Sequence, residues 1–534
     1  MRGSKFILIL IAVMLFLYFF GLGDMPLTDP DETFYAQTAK EMLEADEWVT
    51  PMIFGKPQFE KPVLYYLLIV LSYMVFGVGE FAARFPSAVF GILGVLGVYF
   101  FGRLLFSPLC GFLSGMVMAT CVQYLVLARG CVTDMVLLVF ILYTLLFFLM
   151  GWMGKGRGYF YLASVAAALA VLTKGPIGLF LPGLTVLLFI LLTRQWKRFP
   201  EIPLLRCILL LLLVSLPWYI AVYRMHGSAF VDEFFGFHNV TRFLVPEHRI
   251  GTSPYFYIPV ILGGFFPWST FLLFGAWNMW RHPHPGSADS RAGNYRLFLL
   301  LWFLVVFLFF SSSSTKLVTY IFPLFPVLAL VAGRFWERFI TSSDEDERTS
   351  FFMKISFWIL VGSSPVAAAG AVFLVRYEYA TTSAVQGTIM ASVLYLLAII
   401  VSALFFLKRR RMASFGAIAS SVLVCALPVV WFILPVVGVH ESSKELSLKV
   451  RELASSDEAV GGECDHRRGI AFYSGRTDMT DIHPHQALRD FFSRKERVWG
   501  IIQQKHYRNL KAEMPGKVSE PVASSGEYVL ITNE

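Results

Sequence analysis

Thirteen predominantly apolar stretches divide this 534-residue chain, at about 6–22, 81–105, 108–128, 132–151, 159–173, 176–193, 205–223, 255–278, 296–311, 317–338, 352–375, 387–407 and 412–434. About 20 such residues are needed for a helix to cross the hydrocarbon core of a bilayer. Backbone polar groups facing lipid can be satisfied only in helices or closed barrels. Runs of this length predict an all-α polytopic membrane protein of about thirteen spans. Composition agrees: 56% of residues are hydrophobic and 15% charged, far from an ordinary soluble domain. The formal net charge of +8 does not imply a nucleic-acid partner, because the Lys and Arg residues lie mostly in short loops between apolar stretches.

The stretch "VLYYLLIVLSYMVFG" at 63–77 is short for a span and is closely followed by Glu80 and Arg84, which predicts an interfacial or re-entrant helix. Alternating the thirteen spans from a cytoplasmic N-terminus then gathers Arg103, Lys155, Arg157, Arg194, Lys197, Arg198, Arg206, Arg281, Arg291, Arg296, Arg334, Arg338, Arg348, Lys354 and the run 408–411 on the cytoplasmic side, as the positive-inside rule requires. Residues 6–22 follow Arg2 and Lys5 without a small-x-small cleavage site, so an uncleaved anchor is expected. Residues 1–438 form the predicted membrane domain. The tail, 439–534, turns polar and mixes helix-like with strand-like segments, predicting a small soluble α/β domain on the outer face. Cys110, Cys121, Cys131, Cys207 and Cys425 lie in or beside apolar segments and Cys464 stands alone, a pattern with neither a disulfide framework nor a metal motif.

Unusual polar residues collect in the segments assigned to the outer face. In "LTDPDETFYAQ", Thr28 or Asp29 can cap a helix that starts at Pro30, placing Asp31 and Glu32 in its first turn. Tyr35, Ala39 and Met42 or Leu43 then form an apolar stripe suited to lying along the membrane surface. Further on, "QFEKP" sets Glu60 beside Lys61, a charged pair that must be solvated, paired or functional at membrane depth. Asp134 begins an apolar span, where capping alone would also explain it, and Lys174 and Lys316 sit at predicted outer helix ends. Cations there next to carboxylates suit a lipid phosphate. The segment "FFGFHNVTRF" adds His238, Asn239 and Arg242, and a histidine near Glu60 could bind a divalent metal ion or orient the carboxylate.

"DPDETFYAQTAKEMLEADEWVTPMIFGKPQFEKP", "VTDM", "LTKGPIG", "FFGFHNVTRF", "YFYIPVILGGFFPW" and "STKLVTYIFP", in this order, resemble the aminoarabinose transferase branch of the bacterial GT-C glycosyltransferases, related to protein O-mannosyltransferases. The resemblance implies a GT-C fold in the bacterial inner membrane, with site and tail periplasmic. It also implies a polyprenyl (undecaprenyl) phosphate sugar donor and a lipid A or other envelope glycan acceptor. Carried over by position, Asp31 is the candidate general base, and Glu60 and Asp134 are further catalytic carboxylates, Glu60 with His238 also being the candidate metal ligands. Lys61, Lys174, Arg242, Lys316 and Tyr320 would contact the donor phosphate, and Glu32, Tyr35, His238 and Asn239 would line the substrate cavity. The chain departs from the pattern at Phe34, where those transferases commonly carry arginine, and at Asn239, which occupies the usual histidine position while His238 precedes it. A protein O-mannosyltransferase-like enzyme is the alternative within the class. A transporter or flippase is the alternative outside it, disfavoured by the absence of repeated halves and by charges gathered on one face.

Overall fold

A computed structural model describes residues 2–241, 253, 255–281, 294–342, 347–463 and 466–533, apart from the side chains of Arg2 and of 238–241. Each of the thirteen apolar stretches contains helix. The first part comprises α1 (Arg2–Phe19), α2 (Asp31–Glu44), α3 (Leu64–Phe76), α4 (Glu80–Leu105), α5 (Pro108–Ala119), α6 (Val122–Ala128), α7 (Thr133–Trp152), α8 (Gly158–Lys174), α9 (Ile177–Thr193) and α10 (Leu204–His226). After these come α11 (Tyr257–Gly264), α12 (Leu272–Arg281), α13 (Tyr295–Ser312), α14 (Phe325–Thr341), α15 (Glu347–Tyr379), α16 (Thr382–Leu407), α17 (Arg411–Pro428) and α18 (Leu434–Glu441). Among the described residues, seven helices are long and apolar enough to cross a membrane, or up to nine if each of two bent pairs is one span. The protein is a multi-span membrane protein. At 13 residues, α3 rises only about 20 Å, too short for the hydrocarbon core.

Two stretches expected to be continuous are broken. α5 and α6 meet at a bend of 71°, and α11 and the helix running on to Arg281 at 113°. Pro267 lacks the N–H that would continue a helix, and the two breaks satisfy each other. The Val122 N–H donates to the Phe266 carbonyl at 3.1 Å, and the Trp268 indole donates to the Thr120 hydroxyl at 3.0 Å. Irregular backbone at membrane depth survives only where protein supplies such partners.

The centre of the membrane body is packed through glycine. A methyl group on Gly333 of α14 would lie 2.6 Å from the Ser114 backbone nitrogen of α5, and one on Gly111 of α5 would lie 2.4 Å from the Tyr99 carbonyl of α4. Small residues let helix backbones approach closely where no water drives association.

The apolar stripe of α2 is covered by α3. Tyr35, Ala39 and Met42 pack with Val63, Tyr65, Tyr66 and Ile69 around α3 in one apolar cluster. Protein has taken the place of lipid. The capping expected of Thr28 or Asp29 is also absent: Pro30 precedes the first turn without a side-chain cap. Between α2 and α3, a two-stranded hairpin of β1 (Met52–Ile53) and β2 (Lys56–Pro57) turns through Phe54 and Gly55, both at positive φ. The Glu41 carboxylate holds this turn by accepting the Phe54 and Gly55 N–H groups, each at 2.9 Å.

The tail begins with α19 (Lys444–Leu453) and continues through β3 (Ala459–Gly462), α20 (Arg467–Ser474), β4 (Thr480–Asp481), α21 (His485–Phe492), β5 (Val498–Gln503), α22 (Gln504–Glu513), β6 (Ala523–Ser525) and β7 (Tyr528–Thr532). Its five strands form one mixed sheet in the order β4-β3-β5-β7-β6. Leu446, Val450 and Ile470 fill one apolar cluster against it, and Leu488, Phe491 and Leu510 another. Helices thus cover both faces, as expected for a sheet whose central strand β5 is buried along nearly all its length.

Gly333→Ala should lower the thermal midpoint of the detergent-purified protein, because overpacking of a tight contact costs about 1–3 kcal/mol. Gly362→Ala on α15, where nothing lies within 4 Å of the added methyl, should be neutral or slightly stabilising through helix propensity.

Candidate active site

Glu32, expected in the substrate cavity, is sealed inside the protein. Oε1 accepts from Arg84 Nε and from the Cys131 N–H, both at 2.8 Å. Oε2 accepts from Arg84 Nη2 at 2.6 Å, the Thr28 N–H at 2.9 Å and the Thr28 hydroxyl at 3.1 Å. No lone pair remains for a substrate. Burial pushes the Glu32 carboxyl up, but the Arg84 charge and hydrogen bonds, with the Thr28 and Cys131 N–H groups, outweigh it and leave the pKa below its usual value. Arg84 spends its remaining donors on the carbonyls of Leu22, Met25 and Pro26, at 3.2, 2.6 and 2.7 Å. Arg129 donates likewise to Leu17, Phe20 and Gly21. Two arginines therefore clamp the chain as it leaves α1 and enters α2.

With Glu32 turned inward, Asp31 is exposed in the first turn of α2. One turn on, the Tyr35 hydroxyl lies 3.5 Å from the Thr133 hydroxyl. Its pKa is raised above all by burial, with smaller contributions from neighbours that include both Asp134 and Asp31. Tyr35 thus brings within electrostatic reach two acids far apart in sequence, and stays a neutral O–H. Asp134 itself pairs with Lys174 at 2.7 Å. The Lys174 ammonium also lies 5.1 Å from the centre of the Tyr320 ring, within cation–π range. Lys316, four residues before Tyr320, is buried and donates to the Ser313 carbonyl at 2.9 Å.

A second group of charges gathers beside Phe34, whose ring packs with those of Tyr35 and Tyr66. Glu60 faces Arg468 of α20 at 3.8 Å, and Lys61 Nζ donates to the Glu60 carbonyl at 3.2 Å. The Arg468 guanidinium lies 4.5 Å from the centre of the Phe34 ring. Nothing in the linear pattern of the tail singles out Arg468. The fold alone brings it to this loop.

Arg242 and the side chains of His238 and Asn239 lie outside the described residues. Among the described residues no three His, Cys, Asp or Glu side chains converge as a metal site would require. Glu60 faces a guanidinium instead.

The helical membrane body and its α/β tail share the GT-C fold. Within that class the chain resembles the bacterial aminoarabinose transferases. ArnT from Cupriavidus metallidurans, in a crystal structure bound to undecaprenyl phosphate, superposes with a TM-score of 0.82 over 99% of this chain and 98% of that one, at 23% identity. An undecaprenyl phosphate-alpha-4-amino-4-deoxy-L-arabinose arabinosyl transferase of Enterobacter sp. is 30% identical over 67% of this chain and 63% of its own length. An uncharacterized protein of Aquifex aeolicus is 33% identical over 62% of this chain and 64% of its own length. Both alignments span a little under two thirds of those relatives. The profile of the dolichyl-phosphate-mannose-protein mannosyltransferase family matches residues 60–220.

Removing one partner of the Glu32–Arg84 pair strands a buried charge, so Arg84→Met should cost about 3–5 kcal/mol, read as a large drop in thermal midpoint. The pH sign follows from the lowered Glu32 pKa. Its contribution is complete above the ordinary value of 4.5 and is lost as pH falls through the folded value. An unfolding series from pH 7 to pH 3 should therefore show wild type losing more stability than Glu32→Gln.

Proposed function

We propose that this chain is an inner-membrane glycosyltransferase that moves a sugar from a polyprenyl phosphate, of the undecaprenyl type, to lipid A or another envelope glycan at the periplasmic face. The observation that carries the reading is the linked set Asp31, Tyr35, Asp134, Lys174 and Tyr320 beside an apolar cleft. That cleft, of about 980 Å³, is bounded by α8, α9, α10 and the turn after α10, and its lining includes Val171 and Pro176, which flank Lys174 in sequence. A long prenyl chain fits such a wall while its phosphate meets the cation. Two further supports are the relatives named as undecaprenyl phosphate-aminoarabinose transferases and the likeness to a GT-C structure.

In the proposed reaction an acceptor hydroxyl attacks the anomeric carbon and the bond from that carbon to the phosphate oxygen breaks. The electron pair leaves on the polyprenyl phosphate. Such a leaving group needs positive charge more than a proton, and Lys174, Lys61 and Lys316 are the cations available to meet it. Asp31, exposed and unburdened by the Arg84 clamp, takes the acceptor proton. Asp134 holds Lys174 in place at 2.7 Å. A divalent ion at Glu60 with His238 would need a third ligand that the described residues do not supply. No step is routed through it. The cytoplasmic N-terminus is supported by the Lys and Arg distribution among the loops.

Mass spectrometry of envelope lipids from cells with and without the chain tests the function; an unchanged lipid profile counts against it. Assays with lipid A and with peptide acceptors separate it from protein mannosylation, which the 60–220 family match keeps as the second reading. In the purified protein, Asp31→Asn should lower kcat by about 10²–10⁴-fold, and Lys174→Met by about 10²-fold or more, each with little change in thermal midpoint. Full activity in Asp31→Asn would remove the proposed base.

A further inference from the structure

Three consecutive basic residues open α20 and its approach, and they meet three different fates. His466 Nδ1 lies 3.2 Å from Asp29 Oδ2, whose side chain is completely buried. Arg467 pairs with Asp481 at 3.5 Å and lies over the Phe54 ring at 4.8 Å. Arg468 points at the part of the same loop that carries Phe34 and Glu60. Its nearest carboxylate, Glu60, stands 3.8 Å away, beyond hydrogen-bond distance, and among the described residues none accepts a hydrogen bond from its guanidinium. The Phe34 ring covers one face of the guanidinium. Both Arg468 and Glu60 side chains keep about 30% of their surface open, at 29% and 30%.

A guanidinium stacked on one face with its N–H fork left open is the geometry that binds phosphate in two parallel hydrogen bonds. The neighbouring ties fix where that fork points. Leu27 N–H donates to the Tyr473 hydroxyl at 2.8 Å, Lys40 donates to the Phe472 carbonyl at 3.0 Å and Lys444 pairs with Glu80 at 2.6 Å, so α20 and α19 are tied at three points to α2, the segment before it and α4. We infer that Arg468 is a substrate-binding residue delivered by the tail domain, and that its ligand is the phosphate group of a lipid-borne substrate, either the polyprenyl phosphate donor or a phosphorylated lipid acceptor. Phe34 is its platform and Glu60 its resting counter-charge. The inference rests on the transferase reading for the choice of lipid, and on the loop geometry for the phosphate.

The test is direct binding of two probes, undecaprenyl phosphate and hexa-acylated bis-phosphorylated lipid A, to the full-length protein in detergent, with transfer kinetics measured in parallel. Arg468→Gln should weaken one probe by about 10- to 100-fold while the other changes less than twofold, and the affected probe identifies the source of the phosphate. Arg468→Lys, which keeps charge but loses the fork, should fall between. The KM for that lipid should rise with a smaller change in kcat, a split that a merely structural role does not produce. Binding of both probes within twofold of wild type in Arg468→Gln overturns the assignment. Should that variant fail to fold, Glu60→Gln decides, because removing the competing carboxylate should tighten phosphate binding, and unchanged or weaker binding overturns it. Normal phosphate binding without any transfer would fail the functional reading and leave Arg468 standing; normal transfer with unaltered binding in Arg468→Gln would do the reverse.

Discussion

One buried ion pair sets how the first turn of α2 presents its acids. Glu32 and Arg84 are each nearly inaccessible, at 6% and 4% exposure, where an unpaired charge would be expensive. Any rotation of α2 would break contacts to Arg84, Thr28 and Cys131 together. The helix is therefore locked about its axis, and a helix locked at one position is locked at all of them. Asp31, about 100° round from Glu32, must then look outward, and Tyr35, one turn beyond, must look toward Thr133. The same guanidinium holds the carbonyls of Leu22, Met25 and Pro26, so the exit of α1 and the entry of α2 are fixed by one side chain.

That constraint gives the neighbouring charges their division of labour. Lys174 has a carboxylate partner in Asp134 and an aromatic one in Tyr320, so it rests as a held cation. Asp31 is exposed in the first turn of α2, which suits a proton acceptor better than Asp134, held by Lys174. Similar residue types therefore take different roles through environment alone.

Much of this was legible in the sequence. The apolar lengths marked the helices, the change in composition marked the α/β tail, and the short run at 63–77 forms a helix of 13 residues. Asp31, Glu60, Lys61, Asp134 and Lys174 were visible as polar residues in apolar surroundings. What could not be read was pairing across distance. Glu32 looked like its neighbour Asp31, and nothing local says that Arg84 will swallow one and spare the other. The breaks near residues 120 and 267 were hidden because uniform apolarity continues through them and only the mutual hydrogen bonds make the bends tolerable. The α2 stripe was correctly apolar, but periodicity cannot say whether lipid or α3 will cover it.

The tail and the membrane body meet through packing and polar ties together. Phe472 and Tyr473 of the tail join the apolar cluster in which α2 meets α3, and packing of this kind is non-directional and tolerates sliding. The polar ties added to it are Asp29 with His466 and the Ser443 N–H, Glu80 with Lys444 and the Tyr473 hydroxyl, and Lys40 with the Phe472 carbonyl. Hydrogen bonds of this kind weaken steeply with misalignment, so together they place α20 on α2 far more narrowly than burial alone could. A domain needed only to cover the loop would not require that accuracy. A domain that delivers the open fork of Arg468 to a position beside Phe34 and Glu60 does, because a bidentate contact to phosphate is lost with a displacement of about an ångström.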